Sequence, residues 1–361
     1  MNWLLLFIPI TLVLEHLGVP PTLLFFSAAI AIVPIAALIV HATEQVASRT
    51  GEAVGGLLNA TFGNAPELII CLVALKAGYL EMVRAALIGG ILANLLLAMG
   101  ASFFLGGLRH HKQNFNANAA RLYSSTMLLA VVSMAIPSAF SRAFAPEGVV
   151  REEQMLNIGI AVILLFAYGL YLLFSLKTHP EAFASAVVSG EGESDAHSHG
   201  DGKVWSLQRA IGSLVGASVL AAWMSEILVG AAEGTGKALG MSDVFIGVVF
   251  LAVIGGAAES GSAIAVARRN RMDLSIGIAL GSCIQIALFL APVLVLASYF
   301  IAPQPLELSF SRAELGALAF GVLAGAFVFS DGQSNWFKGV QLMTVYAFIA
   351  MMFYFIPDIA A

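Results

Sequence analysis

The sequence predicts an all-α polytopic membrane protein of about 11 transmembrane helices, arranged as one extra helix followed by two inverted five-helix repeats. Three observations predict it. Apolar stretches of about 20 residues, the length of one bilayer crossing, recur from one end of the chain to the other. Charged residues make up 11% of the 361 and hydrophobic residues 59%, with a mean hydropathy of +0.91; soluble domains carry about 25% and about 45–50%. A pair of short motifs, one holding a mid-span glutamate, occurs once in each half at the same internal spacing.

In chain order, the first apolar stretch, residues 1–17, lacks the basic start and the small-residue cleavage site of a secretory signal and is read as a helix. The next five, 22–48, 53–77, 81–107, 119–140 and 156–176, form the first repeat. Residues 177–205 then break the apolar pattern: Glu181, Glu191, Glu193, Asp195 and Asp201 stand among Ser, Gly and three histidines, the composition of a flexible acidic linker. The second repeat contains 206–234, 243–268, 272–300, 312–330 and 336–356. The resulting domains are 1–20, 21–176, 177–205 and 206–361.

Alternate connections differ in basic residues. One side collects Arg49, Arg109, Lys112, Arg121, Lys177, Lys203, Arg209, Arg268, Arg269, Arg271 and Lys338; the other has Lys76, Arg84, Arg142, Arg151, Lys237 and Arg312. The richer side is expected in the cytoplasm, with the N-terminus and the linker, and an odd number of crossings puts the C-terminus outside. The membrane expected is a prokaryotic cytoplasmic membrane. Scattered basic residues and a net charge of −5 give no nucleic-acid surface. The two cysteines, Cys71 and Cys283, both lie in apolar stretches and support neither a disulfide framework nor a cysteine metal site.

The halves echo one another. "FGNAPELII" is followed by "GGILANLLL", and "IGGAAESGS" by "GSCIQIALF"; Gly63 to Gly89 and Gly255 to Gly281 are both 26 residues. Glu67 and Glu259 occupy the same place in each copy. Five crossings per copy is an odd number, so the copies have opposite orientations, the inverted-repeat plan of many secondary transporters.

An ionised carboxylate at mid-membrane costs on the order of 2.5–3.5 kcal/mol, so Glu67 and Glu259 are expected to face each other rather than lipid. Close carboxylates are stable either both charged around a cation or with at least one protonated. Cation and protons then exclude one another, which is exchange. A doubly negative oxygen site suits a hard cation such as Ca2+, and no Cys or His beside either glutamate favours a softer metal. Asn64 offers a further oxygen. Pro66 lacks an amide hydrogen and frees carbonyls near Phe62 and Gly63, while Gly255 and Gly256 permit unwinding in the second copy. Asn94, Ser282 and Gln285, polar residues in apolar stretches, are candidates for supporting the site or passing protons, as are Glu44 and Glu226 on the long helices that open each repeat.

At these residues the chain resembles the calcium/proton exchanger family (CAX) of the cation/calcium antiporter superfamily. "HATEQVASRTGEAVGGLLNATFGNAPELII", "ARRNRMDLSIGIALGSCIQIALF" and "FSDGQSNWFKGV" carry the resemblance. It implies one helix before two inverted five-helix repeats, an acidic cytosolic segment between them, Glu67 and Glu259 as alternating carriers of cation and protons, and Asn64 beside the ion. It also implies that helices 22–48 and 206–234 slide to expose the site to each side in turn. The second copy departs from the family pattern: Gly256 and Ser260 stand where Asn and His are usual, which removes one ion ligand and one proton-relay group.

The function expected is therefore export of Ca2+ from the cytoplasm in exchange for H+, with Ca2+ as transported substrate, H+ as the counter-ion, no organic cofactor and no enzymatic activity. Antiport of Na+, K+ or Mn2+, sodium-coupled Ca2+ exchange and a cation channel are the rival readings. An intramembrane protease would need an H-E-x-x-H, a Ser-Lys pair or paired aspartates in a protease context, and none appears. The apolar outer surface fits lipid and a homo-oligomer equally well.

Overall fold

Helices account for almost all of the structure, a computed structural model that describes residues 2–50, 55, 58, 61–144, 150–182 and 205–356. The first half contains α1 (Trp3–His16), α2 (Pro21–Ala47), α3 (Ala65–Lys76), α4 (Leu80–His110), α5 (Ala117–Phe144) and α6 (Val150–Leu173). The second contains α7 (Leu207–Leu239), α8 (Asp243–Gly255), α9 (Ala257–Ala267), α10 (Met272–Ile301), α11 (Arg312–Phe329) and α12 (Trp336–Tyr354). A two-residue antiparallel ladder, β1 (Gln113–Asn114) with β2 (Gln333–Ser334), ties the α4–α5 connection to the α11–α12 connection.

Helix ends are set by local chemistry. Pro21 opens α2 in the first turn, where its missing N–H has no intrahelical partner to lose. Ser206 caps α7 by accepting from the Arg209 amide, and Gly240 (φ +67°) closes it in the left-handed region. Ser311 and Glu314 form a reciprocal capping box at the start of α11, and Asn335 accepts from the Lys338 amide to start α12.

Equivalent helices of the two halves run in opposite directions. Near the end of α2, Gln45 Oε1 accepts from the Trp205 amide at the start of α7, at 2.9 Å. At the other extreme, a Cβ on Gly234 would sit 2.8 Å from Pro21. The two helices thus pack antiparallel along their lengths. The C-terminus of α9 lies at the ladder end, where Gln113 Nε2 donates to the Ala267 carbonyl at 2.8 Å and to Asn270 Oδ1 at 3.0 Å. The C-terminus of α3 leads to the opposite end, where Tyr79 faces Glu233. α4 and α10 are the most deeply buried long helices, and α5 and α6 turn Leu128, Val132, Ile163 and Phe166 outward. Apolar outer faces and close interior packing are what a lipid solvent selects.

The expected eleven crossings divide differently. Among the described residues, eight helices are long and apolar enough to cross a membrane, and α8 with α9 makes a ninth, bent by 58°. This is an integral membrane protein. At 1.5 Å per residue, α1 extends about 21 Å, short of the roughly 30 Å of a hydrocarbon core. α3 has 12 residues, and most of the first part of the expected 53–77 crossing lies outside the described residues. So does most of the acidic linker, including Glu191, Glu193, Asp195 and Asp201.

Candidate functional site

Glu67 and Glu259 are each the third residue of a helix that starts in mid-chain, at a break. Ahead of α3 the chain turns at Gly63–Asn64; ahead of α9 it bends at Gly256. Pro66, second in α3, occupies a first-turn position that needs no backbone donor, so it begins a helix rather than interrupting one. A carboxylate in a first turn faces the positive end of the helix dipole. Both glutamates therefore sit where local structure favours their charge and the surrounding apolar interior does not.

The breaks bring the halves together. A Cβ on Gly255 would lie 2.7 Å from Glu67 Cγ, so only glycine admits Glu67 this close to the α8–α9 bend. Glu67 is buried, and neither of its carboxylate oxygens has a hydrogen-bond partner among the described residues. Glu259 is partly exposed, and its Oε2 contacts Ser282 Oγ of α10. The Ser282 hydroxyl also lies 2.7 Å from Asn64 Oδ1, and Asn64 Nδ2 donates to Gln285 Oε1 at 2.5 Å. Asn94 Nδ2, on α4, donates to the Gly90 carbonyl at 3.1 Å and approaches Ser282 Oγ at 3.4 Å. Cys283, by contrast, packs against the Ile91 carbonyl in the interior, as a structural residue would.

Both residue sets following the motif glycines adjoin a local widening of the helix. Ala93–Ala98 in α4 and Ile286–Leu290 in α10 make i→i+5 turns. Such turns cluster at functional sites because they free or redirect backbone groups. Asn94 lies inside the first, and Gln285 immediately precedes the second.

Glu44 and Glu226 lie away from this centre, on two cavities. A cavity of about 410 Å³ runs between α2 and α9, lined by Val33, His41, Glu44, Ala258, Ser262 and Arg269 among others. It extends from the glutamate-bearing start of α9 to the ladder end, where His41 Nδ1 is 3.7 Å from Glu44. Glu226 instead lines a separate cavity of about 440 Å³ with Lys76, Val73 and Phe300, between α3, α7 and α10. Glu44 and Glu226 are thus on separate approaches, one toward each end. Ser260 follows Glu259 on α9, and its amide continues the helix by bonding the Gly256 carbonyl. Gly63 is buried in the turn that precedes Asn64.

The sequence matches the family described as "Sodium/calcium exchanger protein" over residues 20–177 and 209–355, which include every residue of this cluster. The chain belongs to the sodium/calcium exchanger family. Within that family it is 42% identical to the Ca(2+)/H(+) antiporter of Aphanothece halophytica over 364 residues, covering 98% of this chain and 96% of the relative. It is 38% identical to the Ca(2+)/H(+) antiporter ChaA of Bacillus subtilis, covering 96% of each chain. Its fold superposes on native YfkE with a TM-score of 0.81 at 36% identity, covering 97% of each.

Arg269 lines the α2–α9 cavity, although motif reading does not single it out. In the sequence it is one of several basic residues in a connection; only the folded cavity places it opposite Glu44 and His41. Trp205 is another residue that motif reading does not single out. Its ring meets His41 edge-on at 4.9 Å and stacks under the Arg209 guanidinium at 4.6 Å, fastening the start of α7 to the end of α2.

Proposed function

We propose that this chain is a secondary active antiporter that exports Ca2+ from the cytoplasm in exchange for H+, by alternating access to one central site where Glu67 and Glu259 bind cation and protons in turn. The observation that carries the reading is that these two carboxylates, at equivalent positions in inverted halves, both adjoin one polar cluster in an apolar interior: Glu67 against the Gly255–Gly256 bend that Asn94 also approaches, and Glu259 on Ser282, which contacts Asn94 and Asn64. The calcium/proton antiporter relatives named above support the choice of ions.

The cluster couples protonation to ligation through hydrogen-bond counting. Ser282 has one hydroxyl proton and lies against two oxygens, Glu259 Oε2 and Asn64 Oδ1. With Glu259 protonated, it donates to Ser282 Oγ, Ser282 donates to Asn64 Oδ1, and Asn64 donates to Gln285, so every contact has one donor. When Glu259 ionises, Ser282 turns to donate to it. Asn64 Oδ1 then loses its partner and becomes available to a cation, beside the unpartnered oxygens of Glu67. Loss of a proton thus prepares an oxygen-rich site, and Ca2+ takes roughly 6–8 oxygen ligands at about 2.3–2.6 Å.

The remaining assignments follow from this reading. Residues 1–20 hold the extra helix, 21–176 and 206–361 the repeats, and 177–205 the cytosolic connection. The cavity beside α9 opens at the end richer in basic residues, the cytoplasmic end by the positive-inside rule. Sliding of the α2–α7 pair closes it and opens the Glu226 side. Each proton entering down one pH unit supplies about 1.36 kcal/mol. Exchange of one Ca2+ for two protons moves no net charge, whereas a third proton would add about 2.3 kcal/mol per 100 mV.

Proteoliposomes test the function. An imposed pH gradient drives Ca2+ uptake with stoichiometric release of protons, and neither Na+ nor K+ gradients substitute for it. Uptake driven by Na+ or K+ without proton movement, or unitary conductance in a planar bilayer, would overturn the proposal.

A further inference from the structure

The cavity between α2 and α9 is an open groove. On the α9 side its lining runs through Ala258, Gly261, Ala265 and, just past the helix, Arg269, spaced by three or four residues along one face. At 1.5 Å per residue that stripe is about 16 Å long. Its volume is about 410 Å³, and small side chains provide the room. A Cβ on Gly261 would meet nothing within 4 Å, and Gly261 and Ala265 are exposed although they lie inside a helix of the bundle.

Charge enters the lining only at the outer end of this groove. Glu44 stands on the α2 wall, with His41 Nδ1 at 3.7 Å, and Arg269 on the α9 wall. The two charges share the cavity without touching. Among the described residues Arg269 makes no ion pair and no side-chain hydrogen bond, and it is exposed. Its neighbours Arg268 and Arg271 do not line the cavity. Nothing in the packing of Arg269 therefore calls for a cation, yet it lies on a route that, as proposed above, admits one.

We infer that Arg269 is the electrostatic counterweight to Glu44 at the mouth of this cavity, and thereby sets the apparent affinity for the transported cation without binding it. The inference rests on the proposed reading that Ca2+ reaches Glu67 and Glu259 through this cavity. Low-dielectric walls concentrate the field of charges at a cleft mouth. A carboxylate alone would draw in a divalent cation and hold it short of the centre; a guanidinium alone would repel it. Passage requires binding strong enough to enter and weak enough to leave, and the balanced pair meets both conditions. Removing either partner then has opposite consequences, and salt screens both.

The test measures the KM for Ca2+ uptake into everted bacterial membrane vesicles at pH 8, for wild type, Arg269→Gln, Arg269→Lys and Glu44→Gln. Choline chloride is varied from about 10 to about 150 mM, which shortens the Debye length from roughly 30 to roughly 8 Å. Each KM is compared with wild type at the same salt, and melting temperatures of the purified proteins check folding. At low salt the KM is expected to fall about twofold to fivefold in Arg269→Gln, to rise by a similar factor in Glu44→Gln and to stay near wild type in Arg269→Lys, with both differences shrinking as salt rises. If Arg269→Gln does not fold, Arg269→Ala carries the same prediction. The same shifts confined to right-side-out vesicles would uphold the role of Arg269 and reverse the assignment of the cytoplasmic end. Shifts of the same sign at positions 269 and 44, shifts that ignore salt, or a lysine variant that behaves like glutamine would overturn the inference. Glu67→Gln run alongside separates the two levels: loss of uptake there with the wrong salt response at position 269 rejects only the counterweight, whereas normal uptake rejects the central site itself.

Discussion

Gly255 and Glu67 come from opposite halves of the chain, and they touch so closely that the hydrogen on the glycine α-carbon is the only substituent that fits: a Cβ would stand 2.7 Å from Glu67 Cγ and 3.4 Å from its Cα. Gly255→Ala is therefore predicted to push Glu67 away from the α8–α9 bend. A displacement approaching 1 Å at a reacting group costs about 100-fold in an enzyme, and a loss of at least tenfold in Ca2+ uptake is expected here. Flux assays on a variant that still purifies as a folded protein check it.

Ser282 joins Glu259 to Asn64, and removing its hydroxyl leaves one acceptor of the pair without a donor, at about 1–3 kcal/mol. Ser282→Ala should raise the KM for Ca2+ by about tenfold or more, a factor of ten being about 1.4 kcal/mol. Ser282→Thr keeps the hydroxyl and should retain most of the transport. Initial rates of uptake at several Ca2+ concentrations distinguish the two variants.

The turn between α11 and α12 provides a pH-dependent element outside the membrane-spanning segments. Partial burial opposes ionisation of Asp331, but the Lys338 ammonium at 2.6 Å and the Gln333 amide at 3.1 Å more than offset it and hold the carboxyl below its ordinary value of 3.8. A lowered folded-state value means stability that is present above the unfolded value and lost as pH falls through the folded one. Since Asp331 is largely exposed, the contribution is at most about 1 kcal/mol. Asp331→Asn should lower the melting temperature slightly at pH 7, with the difference from wild type shrinking as pH falls below the carboxyl's ordinary value of 3.8 and through its lower folded-state value. Lys338 also donates to the Val328 and Gln333 carbonyls, so Lys338→Met should destabilise more than Asp331→Asn at pH 7. Thermal denaturation in detergent across pH measures both.

The candidate centre was legible in the sequence because the motifs repeat. A glutamate in the same place in both halves, with a glycine pair 26 residues apart in each, is a constraint that apolar packing does not impose. Asn94, Ser282 and Gln285 stood out as polar residues in apolar runs, and the fold joins them to Asn64 and Glu259. Crossings were less legible. Hydropathy counts 243–268 as one span because apolar composition continues through Gly256, whereas the chain bends there. The same measure gives 1–17 a full crossing, although α1 stops at His16, before the Gly18 turn (φ +65°). Cavities were not legible at all: Arg269 and Glu44 are distant in sequence and share one only after α2 has packed on α9.

The most direct test of the central claim is simultaneous recording of Ca2+ and H+ fluxes in proteoliposomes for wild type, Glu67→Gln and Glu259→Gln. Glutamine keeps the shape and removes the titratable charge. The account predicts coupled fluxes in the wild type and loss of both fluxes together in each variant, with melting temperatures close to wild type. Normal Ca2+ flux in either variant, or Ca2+ movement that persists while proton movement is lost, would contradict it.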